Sequence, residues 1–131
     1  GMCHLDADMT KQGLIALGIE DIDFAILENV GNLVCPAEFD TGASKNAMIL
    51  SVPEGDDKPL KYPLMFSKVD LLLINKIDVL DYFDFDLEAC KERVKKLNPK
   101  VEIVTISAKT GEGIDKFAHW IRREIKNWNE D

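Results

Sequence analysis

From Val69 to Ile74 the chain is apolar apart from Asp70, and Asn75, Lys76 and Asp78 come almost at once after it. A run this short and this apolar reads as a strand buried on both faces, which requires covering layers on both sides. Neighbouring segments suit that demand. Phe24 to Leu27 and Ala47 to Val52 are two more short apolar runs, the second ended by Pro53, and Val101 to Ile106 is a β-rich stretch leading into Ser107. Helical patterns alternate with them. Asp86 can cap a helix whose apolar stripe is Leu87, Cys90, Val94 and Leu97, stopped by Asn98-Pro99. Ile114, Phe117, Ala118, Ile121, Ile125 and Trp128 mark one face of a last helix, and a weaker pattern at Met9, Leu14 and Leu17 ends at Gly18. The order helix, strand, strand, strand, helix, strand, helix predicts an α/β fold with a mostly parallel sheet flanked by helices. Pro53 to Pro63 reads as a polar, proline-punctuated loop too long for a simple turn.

At 131 residues the expectation is one domain, 1–131. A chain of this size can bury roughly two-thirds of its unfolded surface without disulfide staples. Its three cysteines, Cys3, Cys35 and Cys90, are odd in number and far apart, which points to a reducing, cytoplasmic compartment. The net charge of −8 argues against nucleic acid as a partner, because phosphate binding needs a basic face. Purely apolar runs such as Leu71 to Ile74 fall far short of the ~20 residues of a membrane span. The start of the chain has no signal-peptide pattern.

The chemistry collects where strands end. In open α/β sheets ligands bind beyond the carboxyl ends of strands, which is where Asn75-Lys76-Ile77-Asp78 and Ser107-Ala108-Lys109 fall. The Asp78 carboxylate can accept from N1–H and the 2-amino group of guanine, a donor pair adenine lacks. Asn75 can tie neighbouring loops together, the Lys76 stem can lie along base and ribose, and a backbone amide of the second motif can face guanine O6. The two motifs resemble the base-recognition elements of GTPases. Glu28-Asn29-Val30-Gly31, at the end of the Phe24 run, resembles the γ-phosphate and magnesium sensor of those proteins, with Glu28 where Ras-like members have Asp.

The segments CHLDA at 3–7, ENVGNLVCP at 28–36, PEGDDKPLKYP at 53–63, NKID at 75–78 and SAKTGEG at 107–113 together resemble the HypB family of hydrogenase nickel-incorporation GTPases. The resemblance covers essentially the whole chain, in the family's order. It implies a SIMIBI-class GTPase core that binds GTP or GDP, Mg2+, and Zn2+ or Ni2+, and commonly dimerises in response to GTP. It also implies a hydrogenase-maturation partner that supplies or receives nickel. Asp6 and Glu28 become the candidate catalytic, magnesium-side acids. Gly31, Asn75, Lys76, Asp78, Ser107, Ala108 and Lys109 become the nucleotide-binding set, and Cys3, His4 and Cys35 the metal ligands.

The sequence departs from the family at one point. No GxxxxGK followed by Ser or Thr occurs in it, so the core read from this sequence is expected to lack the phosphate cradle and the first strand. The expectation is base recognition with little phosphate affinity and no GTP turnover by this chain alone. An oligomer, strand-exchanged or otherwise, is expected to cover the sheet edge left open.

Thiolate and imidazole are ligand types that Zn2+ and Ni2+ prefer. On chemistry alone, one Cys-His pair and a distant Cys do not define a site; the family resemblance is what assigns them. Ligands on two nucleotide-responsive loops would couple metal geometry to nucleotide state, reciprocally. Cys90 reads instead as a small core residue, His119 as a solvated one, and Phe117 and Trp128 as core packing, with Trp120 undecided. Asp56-Asp57-Lys58 reads equally as plain loop or as part of a contact near the nucleotide. Two further readings stand beside the nickel-delivery GTPase. One is a catalytically inactive metal-binding and dimerisation module of the same family. The other is a piece of a generic GTPase, against which CHLDA and Glu28 both speak.

Overall fold

The computed structural model describes residues 6–29 and 40–130. Its centre is a three-stranded parallel sheet in the order β1 (Ala47–Ser51), β2 (Leu71–Asn75), β3 (Glu102–Thr105). The middle strand is the apolar run that demands cover on two sides, and it has both. Leu72 and Ile74 point into one core with Met48, Leu50, Val52, Phe66, Cys90 and Val94, while Leu71 and Leu73 join Ile106 and Trp120 on the opposite face. With period-two alternation, only a strand covered on both sides is apolar at every position.

Among the described residues, five α-helices accompany the sheet. α1 (Ala7–Leu17) opens with the Asp6 carboxylate accepting from the Met9 amide at 2.8 Å, and it ends at Gly18 in the left-handed region. α2 (Lys58–Lys61) and α3 (Pro63–Lys68) are short and begin at prolines or beside them. α4 (Leu87–Leu97) starts at Asp86, whose side chain accepts from Ala89 N at 3.0 Å, as its sequence predicts, and it buries Cys90 and Val94. α5 (Ile114–Glu130) packs on the face opposite α4. No helix of the described residues is long and apolar enough to cross a membrane.

Three expectations need correction. Phe24 to Leu27 is not a strand: among the described residues it finds no ladder partner, and Phe24, Ile26 and Leu27 stay exposed. Backbone groups become strand only by pairing with a neighbour, and the described sheet stops at β1. Pro53 to Pro63, expected as a polar loop, is largely helical and turn structure. It contains a 3-10 turn (Val52–Glu54), α2 with Pro59 buried, and an anchored Asp56. Asp56 accepts from the Asp86 amide at 2.6 Å and from Arg93 Nη1 at 3.1 Å, which fastens the loop to α4. Finally, Trp120 rather than Trp128 enters the core, at 6% against 67% exposure. The 17 residues of α5 span about 25 Å, whereas the four of β3 cover about 13 Å, so the helix end carrying Trp128 overruns the sheet.

Cys90 is the core residue its helical position implies. Burial, and then the Asp56 charge, push its thiol up to about 11 against the opposing pull of Arg93. Only the thiolate is nucleophilic. Folded chain treated with iodoacetamide at about pH 8 should therefore leave Cys90 unmodified, and urea should expose it; peptide mass mapping reads both. The folded value lies above the ordinary 9.0, so this group's contribution to stability is complete below that pH and is lost as pH rises toward the folded value.

A candidate base-binding site at the strand ends

β2 and β3 run in parallel register from Leu71 beside Glu102 to Ile74 beside Thr105, so their carboxyl ends finish together. The segments leaving the two strands are then adjacent in space, although about thirty positions apart in sequence. Lys76 turns the chain sharply after β2. It is the one non-glycine residue with positive φ among those described, at 66°. Such a conformation costs about 1–3 kcal/mol and persists only where its surroundings enforce it. Here the Ile77 amide donates to Ile106 O and the Val79 amide to Lys76 O, closing the turn across to the next strand.

Two side-chain bonds complete the junction. Asn75 Oδ1 accepts from the Ala108 amide at 3.1 Å, and Ser107 Oγ donates to Asp78 Oδ1 at 2.8 Å. Ser107 is fully buried, and its hydroxyl oxygen also accepts from the Thr110 amide at 3.1 Å, so its single proton is directed to Asp78. An ionised carboxylate has about four lone-pair sites, and one serine leaves most of them available. Asp78 is thereby oriented without being used up.

The result is a cleft of about 270 Å³ lined by Asn75, Lys76, Asp78, Val79, Ala108 and Lys109. Five of these six belong to the set the sequence proposes for base binding, and the fold brings them together. Ser107, the remaining member of the predicted set here, lies beneath the cleft and positions Asp78. Val79 was missed; it is the apolar residue that directly follows the motif. Within the second motif the Ala108 amide is occupied by Asn75 and the Ser107 amide by Glu112 O. The Lys109 amide, which makes no hydrogen bond among the described residues, is the donor left for a base oxygen.

A glycine turn supports the second motif. Ser107 N donates to Glu112 O at 2.9 Å, and Gly111 N to Ser107 O at 2.8 Å. Gly113 passes so close to β3 that a Cβ there would lie 2.1 Å from Thr105 O. No local pattern in the sequence marks this requirement.

The other predicted residues fare differently. Asp6 caps α1, so one of its oxygens serves the helix rather than a magnesium ion. Glu28 is exposed in an irregular segment instead of standing at a strand tip. Cys3, His4, Gly31 and Cys35 lie outside the described residues. Among the described residues no group of His, Cys, Asp and Glu is placed to hold a metal.

A parallel sheet flanked by helices, with polar segments leaving its adjacent carboxyl ends, is the architecture of P-loop GTPase domains. Residues 1–105 match the family described as CobW/HypB/UreG, nucleotide-binding domain, and the chain belongs to it. Its relatives include the hydrogenase maturation factor HypB of Escherichia coli K12, 48% identical over 122 residues, which make up 93% of this chain and 42% of that protein. The probable HypB of Methanocaldococcus jannaschii is 42% identical, over 95% of this chain and 56% of its own length. Among solved structures, HypB from Archaeoglobus fulgidus superposes with a TM-score of 0.86 at 38% identity, over 93% of this chain and 65% of that one. HypB from Helicobacter pylori in complex with nickel gives 0.87 at 41%, over 95% and 60%. The chain thus spans roughly half the length of the relatives it matches.

Proposed function

We propose that this chain carries the guanine-recognition part of a GTP-hydrolysing metallochaperone that delivers nickel during hydrogenase maturation. The observation supporting it most directly is the Ser107–Asp78 hydrogen bond, which holds a carboxylate at the mouth of a base-sized cleft. Asp78 would accept from guanine N1–H and the 2-amino group, the Lys109 amide would meet O6, and Val79 and the Lys76 stem would flank the ring. Asp6 and Glu28 are assigned to Mg2+, with Asp6 leaving its capping role when nucleotide binds. Cys3, His4 and Cys35 are assigned to Zn2+ or Ni2+, donor types suited to both ions. A cytoplasmic homodimer and a nickel-exchanging maturation partner complete the reading. Because the chain contains no GxxxxGK sequence, multiple turnover of GTP by the chain alone is not expected.

Titration of ¹⁵N-labelled chain with GDP and ADP tests the base site. GDP should shift the amides of Asn75, Lys76, Ala108 and Lys109 at millimolar concentration, an interaction of about 4 kcal/mol, and ADP should not. Asp78→Asn should abolish the GDP response and confer one to the xanthine nucleotide, whose C2 carbonyl can accept from an amide. Equal responses to GDP and ADP would remove the guanine assignment.

Metal analysis tests the second site. Cys3→Ala or Cys35→Ala should eliminate stoichiometric zinc or nickel, while Cys90→Ala, a core change, should retain it. Equal metal content in all three variants would withdraw these ligands. Light scattering that finds only monomer at micromolar concentration would count against the dimer.

A further inference from the structure

A second cleft, of about 540 Å³, lies between the α5-facing side of β3, at Glu102 and Val104, and α5 itself, remote in sequence from the base-site motif after β2. The strand that walls it has an open edge alongside, since β3 pairs only with β2 among the described residues. The Glu102 and Ile106 amides donate toward β2. In a parallel ladder the intervening residues then face outward, so the N–H and C=O of Ile103 and the N–H of Thr105 are available. The Thr105 carbonyl is closed off by the backbone at Gly113. The edge is short but accessible.

Its helix side is rich in donors. Trp120 is 6% exposed and lines the cleft, yet its indole N–H has no acceptor among the described residues. A buried donor without an acceptor is costly, and native structures rarely leave one. Lys116 and Arg122 also line the cleft and have no ion-pair partner among the described residues, and exposed His119 adds a ring donor. The acidic lining residues do not cancel this. Glu102 is engaged by Arg123, which also reaches Glu124 at 3.4 Å, and of the lining acids only Asp115 remains without a cationic partner among the described residues.

We propose that this cleft binds an extended acidic segment of another protein, added as a strand along β3. Backbone pairing at Ile103 and Thr105 would supply register. Carboxylates on the face toward α5 would meet Lys116, Arg122 and the Trp120 indole, and an exposed edge is the surface that strand-adding recognition uses. This assignment does not rest on the guanine reading of the other cleft.

The test uses the whole chain carrying Trp128→Phe, so that emission reports Trp120 alone. A short capped peptide alternating glutamate and valine should change that emission saturably; a lysine–valine peptide of equal length should not. Lys116→Glu combined with Arg122→Glu should weaken the acidic peptide about tenfold or more, and N-methylation of the peptide backbone should abolish binding. Several results would each overturn the proposal: no saturable response, equal affinity for both peptides, or insensitivity to the charge reversal or to N-methylation. Inorganic phosphate reproducing the change and displacing the peptide would overturn it too, showing a small-anion site instead of a strand acceptor.

Discussion

Gly113→Ala should lower the melting temperature by about 10 °C or more and blur the amide signals of Ser107 to Lys109. A Cβ at this position would stand 2.1 Å from Thr105 O and 3.1 Å from the Ile106 side chain, at a φ of +78° that L-residues avoid. Thr105 O belongs to a sheet strand and cannot swing aside as a flexible side chain would. Left-handed strain and overpacking each cost about 1–3 kcal/mol, together about 3–4, and in a domain of this size each kcal/mol lowers the transition by about 3–5 °C. Gly111 is the control. Its φ is +88° but nothing lies within 4 Å of its Cβ position, so Gly111→Ala bears only the backbone strain. If calorimetry found equal losses for the two variants, the close approach at Gly113 would not be the cause.

Phe66→Ala should be still more damaging, by about 3–5 kcal/mol. The ring is fully buried in the core that also holds Leu50, Leu72 and Val94. The same residue's carbonyl accepts from Asn98 Nδ2 at 3.1 Å, which ties α3 to the end of α4. Domains of this kind are stable by about 5–15 kcal/mol in total, so the variant would forfeit a large share. Leu64 occupies the same helix but is 46% exposed. Leu64→Ala should stay within about 0.5 kcal/mol. Urea midpoints compared at constant slope read both effects; similar midpoints for the two variants would contradict this core assignment.

The parallel sheet was legible because Leu71 to Ile74 offers no polar face, and the candidate cleft because both of its motifs directly follow strands. Asp86 announced α4 through simple capping chemistry. Phe24 to Leu27 misled for a physical reason: apolar, β-prone composition does not make a strand unless a neighbour supplies hydrogen bonds, and local sequence is silent about neighbours. Trp120 and Trp128 were misjudged because helical periodicity says which stripe faces inward but not where the underlying sheet stops. The roles of Asp56 and Gly113 depend on contacts with residues distant in sequence or on a single close approach, and neither leaves a local signature.

The hydroxyl that aims Asp78 belongs to the connection leading into α5, not to the strand that carries the carboxylate. Filling the cleft should therefore steady a part of the molecule that the ligand never touches. By linkage, whatever favours the closed junction also resists the opening of the segments joined to it. Amide protons in the first turns of α5 should exchange more slowly with GDP present, so that a helix packed on one face of the sheet registers events at its strand ends.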